Sequence, residues 1–178
     1  LADAAAGAVA AALGEALHLR GRATLVATGG RSPGPIYDRL AVADLDWSRV
    51  TVTLSDDRFV PPQAADSNER LVRDRLLTGR AAAAAFMPLW SEAASQDAAA
   101  AAAEPAIAAL TPFDVVVLGM GEDGHVASLI PGADNLAAGM DADGARLCLG
   151  VQAGVGSPPV ARIPLTLAAL LRSRAILI

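Results

Sequence analysis

The sequence predicts an α/β protein in which a parallel sheet is covered by helices on both faces. Short apolar runs alternate with helical patterns along the chain, which is typical of strand–helix–strand units. Continuous apolar runs favour strands that are buried on both faces. These runs are TLVA at 24–27, VTVTL at 50–54, DVVVL at 114–118 and AILI at 175–178. The length of 178 residues indicates a single domain.

The elements follow from periodicity and from turn residues. Val9, Leu13 and Leu17 recur every four residues, which predicts a first helix that ends near Arg20. We then expect strands near 23–27, 50–54, 84–87, 114–118, 147–151 and 175–178, helices near 35–42, 67–77, 92–109 and 162–171, and a helical turn from His125.

The composition excludes several classes of function. A net charge of −5 argues against a nucleic-acid partner, and no stretch approaches the roughly 20 strongly apolar residues of a membrane span. All 14 basic residues are Arg, which excludes chemistry that needs a Schiff-base lysine. The chain has only two histidines and one cysteine, which argues against a tetrahedral zinc site, so no metal is expected. We interpret Cys148 as a buried structural thiol in a cytoplasmic protein.

Three loops that follow predicted strands carry most of the polar chemistry. They span residues 28–34, 55–62 and 119–128, and ligands bind to such sheets beyond the carboxyl ends of the strands. In the first loop, Gly29, Gly30 and Ser32 can present N–H and hydroxyl donors to an anion. This pattern predicts a phosphate cradle without the spacing of a nucleotide P-loop, and a plain Gly-Pro turn is the alternative.

The second loop places Asp56 and Arg58 directly after a strand. Arg58 can bind a phosphate through two N–H groups and Asp56 can orient a base or a water, whereas solvated surface charges are the alternative. Asp66 or Ser67 caps the helix that follows. Asn68, next to this cap, either faces the site or serves the cap alone.

The third loop contains Gly119, Gly121 and Gly124 in the G-x-G-x-x-G spacing of a dinucleotide-binding turn. Two observations argue against binding of NAD. Asp123 would repel a pyrophosphate, and no acidic residue stands at the end of the next predicted strand to bind the ribose hydroxyls. His125 instead offers a base that titrates near neutrality, and Asp123 can fix its tautomer. We therefore interpret the turn as one that delivers a histidine–carboxylate pair.

Four segments together closely resemble the 6-phosphogluconolactonase family, whose superfamily also contains glucosamine-6-phosphate deaminases. The segments are TGGRSPGPIYDRL, SDDRFVPPQAADSNERLVRDRLL, FDVVVLGMGEDGHVASLIPG and RIPLTLAALLRSRAILI. The deaminases have a similar G-x-DGH turn but continue with an Asn-Glu-Pro sequence in place of ASLIPG. The resemblance implies a Rossmann-like fold and hydrolysis of 6-phospho-D-glucono-1,5-lactone without a metal or organic cofactor.

The resemblance also implies roles for individual residues. His125 would be the general base, supported by Asp123, and Asp56 occupies the position of an acid that serves proton transfer in the deaminases. Arg31 either adds a phosphate contact or points to solvent. The residues expected to contact substrate are Gly29, Gly30, Arg31, Ser32, Arg58, Asn68, Gly121 and Arg162.

The sequence departs from the family pattern in four respects, the first of which is Arg31, which stands where many relatives have Ser. Asp57 stands where relatives usually have Glu, and a lysine common in the approach to Arg162 is missing from GVGSPPVAR. Relatives also extend beyond both ends, so we expect the C-terminal helix and strand of the family to be absent from residues 1–178. Two other functions stay open, an amino-sugar-phosphate deaminase or isomerase and a non-catalytic sugar-phosphate sensor; the oligomeric state is not predicted.

Overall fold

A five-stranded, all-parallel sheet forms the centre of the molecule. The computed structural model describes residues 1–178. The strands are β1 (Ala23–Ala27), β2 (Val50–Leu54), β3 (Asp56–Arg58), β4 (Ala85–Phe86), β5 (Phe113–Val117), β6 (Arg162–Pro164) and β7 (Ser173–Leu177). The helices are α1 (Ala2–Arg20), α2 (Gly34–Leu40), α3 (Asn68–Arg75), α4 (Gln96–Leu110), α5 (Leu136–Gly139) and α6 (Leu167–Leu171). The strand order in the main sheet is β4-β2-β1-β5-β7. The predicted α/β class is confirmed.

The helices form where the sequence supplies both an apolar stripe and end signals. In α1, Val9 and Leu13 are fully buried, and Gly21 ends the helix in the left-handed conformation with φ 70°. The Ser67 and Ser95 side chains cap α3 and α4 by accepting from the backbone N–H of the residue three positions later. The predicted Ser67 cap is therefore confirmed.

The chain reverses its direction across the sheet between β4 and β5. From β1 it moves outward to β2 and β4, and it then returns to place β5 on the other side of β1. Because such crossovers are right-handed, α2 and α3 cover one face and α4 covers the other. The carboxyl ends of β1 and β5 thus border the crevice in which α/β proteins bind ligands.

A second, two-stranded sheet lies beside the main one, and two predictions are wrong here. β3 pairs antiparallel with β6, so part of the predicted loop at 55–62 is a strand. The predicted helix at 162–171 begins as β6 and becomes helical only at Leu167, because Thr166 caps α6 there. In this pair Arg58 lies directly opposite Arg162.

Two further predicted elements are also wrong. Residues after His125 form no helical turn; Val126 instead makes an isolated antiparallel bridge with Met120, which folds the loop back on itself. The apolar run 147–151 does not enter the main sheet. Its residues Cys148 and Val151 bridge the chain around β6, where they are buried, and β7 takes the position beside β5.

One hydrophobic core of 34 buried residues lies between the sheet and its helices. Cys148 is fully buried as predicted, and burial raises the pKa of its thiol to about 12. None of the helices has both the length and the apolar character that crossing a membrane requires.

Candidate active site

A polar cleft lies at the crevice between the carboxyl ends of β1 and β5. It is lined by all the predicted site residues except Asp123, together with Thr28, Pro33, Gly119, Met120, Ala127 and Ser157. Asp123 borders the cleft through its contact with His125. The structure thus brings together three loops that are far apart in the sequence. Substrate contact by each residue stays a prediction.

The glycine loop after β1 is fixed at its base by Tyr37 of α2. The Tyr37 hydroxyl accepts from the Thr28 N–H at 2.8 Å and donates to the Thr28 carbonyl at 2.6 Å. Gly30 has φ +95°, which favours glycine. A Cβ on Gly29 would lie 2.0 Å from Oδ1 of Asn68. The loop therefore needs glycine at both positions to pass close to Asn68 and to expose its backbone to the cleft.

Asn68 connects this loop to β3. Its side chain is 3% exposed, and Nδ2 donates to the Asp56 carbonyl at 2.9 Å. The backbone N–H of Asn68 donates to Oδ1 of Asp57 at 2.7 Å. Asn68 thus stabilises the base of the cleft through its hydrogen bonds and also lines the cleft.

Asp57, for which no site role is predicted, is a buried residue that accepts hydrogen bonds from the N-terminus of α3. Its carboxylate accepts from the backbone N–H groups of Arg58, Asn68 and Glu69 at 2.8, 2.7 and 3.2 Å. These bonds favour the ionised form, but burial outweighs them and raises the pKa of Asp57 to about 7. Asp57 does not pair with the guanidinium of Arg58, and so it leaves that charge free for another partner.

His125 and Asp123 form a side-chain pair at the rim of the cleft. Nδ1 of His125 lies 2.5 Å from Oδ1 of Asp123, and the hydrogen bond from His125 lowers the pKa of that carboxyl. Because an ionised carboxylate only accepts hydrogen bonds, Nδ1 is the protonated nitrogen. Nε2 makes no hydrogen bond within the chain, so in the neutral imidazole it is the nitrogen that carries the free lone pair. This is the tautomer that a general base requires.

Gly121 makes room for the imidazole ring. A Cβ at this position would lie 2.4 Å from Cε1 and 2.5 Å from Nδ1 of His125. The loop is closed by the Gly121 N–H, which donates to the His125 carbonyl at 2.9 Å. The observed position of the His125 ring therefore requires glycine at position 121.

Arg58 and Arg162 bring two guanidinium groups to the same cleft. Arg58 donates to the Asp66 carbonyl at 2.6 Å and Arg162 donates to the Pro158 carbonyl at 2.8 Å. Neither makes an ion pair with a carboxylate, and the Nε of each is buried without a hydrogen-bond partner. Burial, followed by the charge of Arg58, lowers the pKa of Arg162. Two unpaired cations at one site favour binding of an anion.

Asp56 is 5% exposed, and both of its carboxylate oxygens are held by hydroxyl groups. Ser55 donates to Oδ1 at 3.2 Å and Ser128 donates to Oδ2. Ser128 also accepts from Nη1 of Arg162 at 3.5 Å. Sequence reasoning missed Ser128, because no local pattern indicates a contact between residues 72 positions apart.

Comparison with known proteins gives a consistent assignment over the whole chain. A sequence model of the family described as glucosamine-6-phosphate isomerases/6-phosphogluconolactonase matches residues 1–178. The 6-phosphogluconolactonase of Caulobacter vibrioides is 48% identical over 171 residues, which are 96% of this chain and 74% of that protein. The 6-phosphogluconolactonase of Pseudomonas putida is 50% identical over 141 residues, which are 79% of this chain and 58% of that protein.

A solved structure agrees with these sequences. The crystal structure of a 6-phosphogluconolactonase from Shewanella baltica has a TM-score of 0.90 and 38% sequence identity, with 98% of this chain and 74% of that chain covered. This chain therefore spans between 58% and 74% of the length of these three relatives.

Proposed function

The chain belongs to the glucosamine-6-phosphate isomerase/6-phosphogluconolactonase family, and we propose that it hydrolyses 6-phospho-D-glucono-1,5-lactone to 6-phosphogluconate. The relatives named above support this substrate, since each is a 6-phosphogluconolactonase. One observation carries the proposal: the His125–Asp123 pair borders the same cleft as two arginines that have no carboxylate partner.

The histidine pair performs the proton transfers of the reaction. Nε2 of His125 takes a proton from water as the water oxygen bonds to the lactone carbonyl carbon. Asp123 stabilises the imidazolium that forms, because it accepts the hydrogen bond from Nδ1. The tetrahedral intermediate then breaks its bond between the carbonyl carbon and the ring oxygen, and that oxygen receives the proton from Nε2. Water and lactone are consumed in equal number, and no redox step or organic cofactor is needed.

The arginines and the glycine loop bind the other end of the substrate. A phosphate in the cleft neutralises Arg58 and Arg162, whose guanidinium groups have no carboxylate partner and supply charge-assisted hydrogen bonds. Gly29, Gly30 and Ser32 add backbone and hydroxyl donors from the loop after β1. Arg31 is exposed at the mouth of the cleft, where it adds a longer-range positive charge. These contacts with the phosphate hold the substrate in place, although they lie away from the carbonyl group that reacts.

Two measurements separate this proposal from the alternatives. A lactone-hydrolysis assay, corrected for spontaneous ring opening, should show catalysis by the protein, and calorimetry should show binding of 6-phosphogluconate. Binding without a rate above background would indicate a sensor. Release of ammonia from glucosamine 6-phosphate would indicate a deaminase, and we expect none. We propose a cytoplasmic enzyme that binds neither nucleic acid nor membrane.

A further inference from the structure

Asp56 and Arg162 are oppositely charged, buried and close together, yet they form no ion pair. Asp56 is 5% exposed and Arg162 is 3% exposed. Alternate residues of a strand face the same side, so Asp56 shares its face of β3 with Arg58, and Arg162 lies opposite Arg58. No oxygen of Asp56 comes within 4.0 Å of a guanidinium nitrogen of Arg162, since this pair is absent from the ion pairs of the chain.

Ser128 stands between the two charges. Its hydroxyl donates to Oδ2 of Asp56 and accepts from Nη1 of Arg162 at 3.5 Å. Each charged group is otherwise held by neutral partners: the Ser55 hydroxyl donates to Asp56, and the Pro158 carbonyl accepts from Arg162. Ser128 is fully buried and is not part of the cleft lining, so it does not meet the substrate.

This arrangement has an energetic consequence for phosphate binding. Opposite charges attract strongly at low effective dielectric, and a direct pair between Asp56 and Arg162 would satisfy both. Such a pair would also occupy the N–H groups that a substrate phosphate needs. The Ser128 hydroxyl makes this ion pair less favourable, because it donates a hydrogen bond to Oδ2 of Asp56 and separates that oxygen from the guanidinium.

We propose that Ser128 is a positioning residue that keeps Asp56 from pairing with Arg162 and so leaves Arg162 available to the substrate phosphate. The inference rests on the proposed function. Without the hydroxyl, Oδ2 of Asp56 is buried without a donor and turns to Arg162. The substrate phosphate then competes with an internal carboxylate, and binding weakens while the His125–Asp123 pair stays in place.

The test measures the Kd of 6-phosphogluconate by calorimetry for a set of variants. Ser128→Ala should weaken binding by at least about tenfold, as expected when a charge-assisted contact is lost. In Ser128→Ala/Asp56→Asn there is no charge to capture Arg162, so binding should return to that of Asp56→Asn. Equal affinity of Ser128→Ala and the unmodified protein, or a double variant as weak as Ser128→Ala, would overturn the proposal.

Ser55→Ala is the matched control. It removes the other hydroxyl donor of Asp56, but Ser55 has no hydrogen bond to Arg162. Binding by Ser55→Ala should be weakened less than by Ser128→Ala. If both variants lose affinity equally, the general hydrogen bonding of Asp56 matters and the separation of charges does not.

Two further measurements test the proposal independently of whether the Ser128 variant folds or changes only affinity. Asp56→Asn alone should bind 6-phosphogluconate at least as tightly as the unmodified protein, and weaker binding would contradict the proposal even if Ser128→Ala does not fold. Kinetics should show that Ser128→Ala raises KM more than it lowers kcat. An unmodified protein that neither binds 6-phosphogluconate nor hydrolyses the lactone would overturn the function itself, which is a different result from a failure of the Ser128 variants.

Discussion

Arg58 and Arg162 lie directly opposite each other in the antiparallel pair of β3 and β6, and neither guanidinium has a carboxylate partner. Like charges in this cross-strand position destabilise a sheet. The lowered pKa of Arg162 has burial as its main cause and Arg58 as the next, which is consistent with this repulsion. A phosphate bound as we propose would relieve the repulsion and would account for a feature that costs stability in the free protein.

Replacing either arginine should weaken binding of phosphorylated substrate. We expect Arg58→Gln and Arg162→Gln each to raise KM for the lactone by about 10- to 150-fold, which corresponds to loss of a ~1.5–3 kcal/mol charge-assisted contact. Glucono-1,5-lactone, which has no phosphate, should be hydrolysed equally by the variants and the unmodified protein. Steady-state kinetics with both lactones checks this.

Arg172→Gln is the control, since Arg172 is exposed outside the cleft. Its kinetics should be unchanged. A KM effect that is equal for phosphorylated and unphosphorylated lactones would show that the cleft arginines do not bind the phosphate.

Gly121 and Gly119 offer a matched pair of substitutions in one loop. A Cβ at Gly121 would lie 2.4 Å from the His125 ring, whereas a Cβ at Gly119 would meet no atom within 4 Å. Gly121→Ala should therefore displace the imidazole and lower kcat, while Gly119→Ala, whose Cβ meets no protein atom but lines the cleft, should keep kcat even if KM rises. Thermal unfolding of both variants checks that the fold is kept. Equal turnover by the two variants would refute the spatial role of Gly121.

Asp57 should make the stability of the protein depend on pH in a direction opposite to that of most carboxylates. Burial raises its pKa to about 7 in the folded protein, against about 3.9 in the unfolded chain. Its contribution to stability is full below the unfolded value and is lost as the pH rises through about 7.

The comparison that isolates this effect is with Asp57→Asn, which cannot ionise. The free energy of unfolding of the unmodified protein, minus that of Asp57→Asn, should decrease from pH 4 to pH 7.5 in urea titrations. An increase over this range would mean that the backbone N–H groups at the start of α3 hold Asp57 ionised.

Much of the fold follows from local sequence. β1 and β2 have the predicted bounds, because continuous apolar runs between turn residues indicate buried strands. The predicted strand at 147–151 was wrong, since periodicity cannot say which partner an apolar run will choose. Those residues pair around β6 instead of joining the main sheet.

Some contacts of the candidate site can be predicted from local sequence, and others cannot. His125 and Asp123 are two residues apart, so their contact could be predicted from a local motif. The contact of Asp56 with Ser128 and the pairing of Arg58 with Arg162 depend on β3 meeting β6, which no local pattern encodes. The role of Asp57 cannot be predicted from its neighbours in the sequence, because it depends on which helix begins beside it.

The most direct test of the account is the kinetics of His125→Ala. We predict that kcat for 6-phospho-D-glucono-1,5-lactone falls by ~10²–10⁴-fold, after subtraction of spontaneous hydrolysis, because a general base contributes about that much. The Kd of 6-phosphogluconate should change little. His18→Ala, which alters an exposed histidine in the last turn of α1, should behave as the unmodified protein. Unimpaired turnover by His125→Ala would contradict the proposed mechanism.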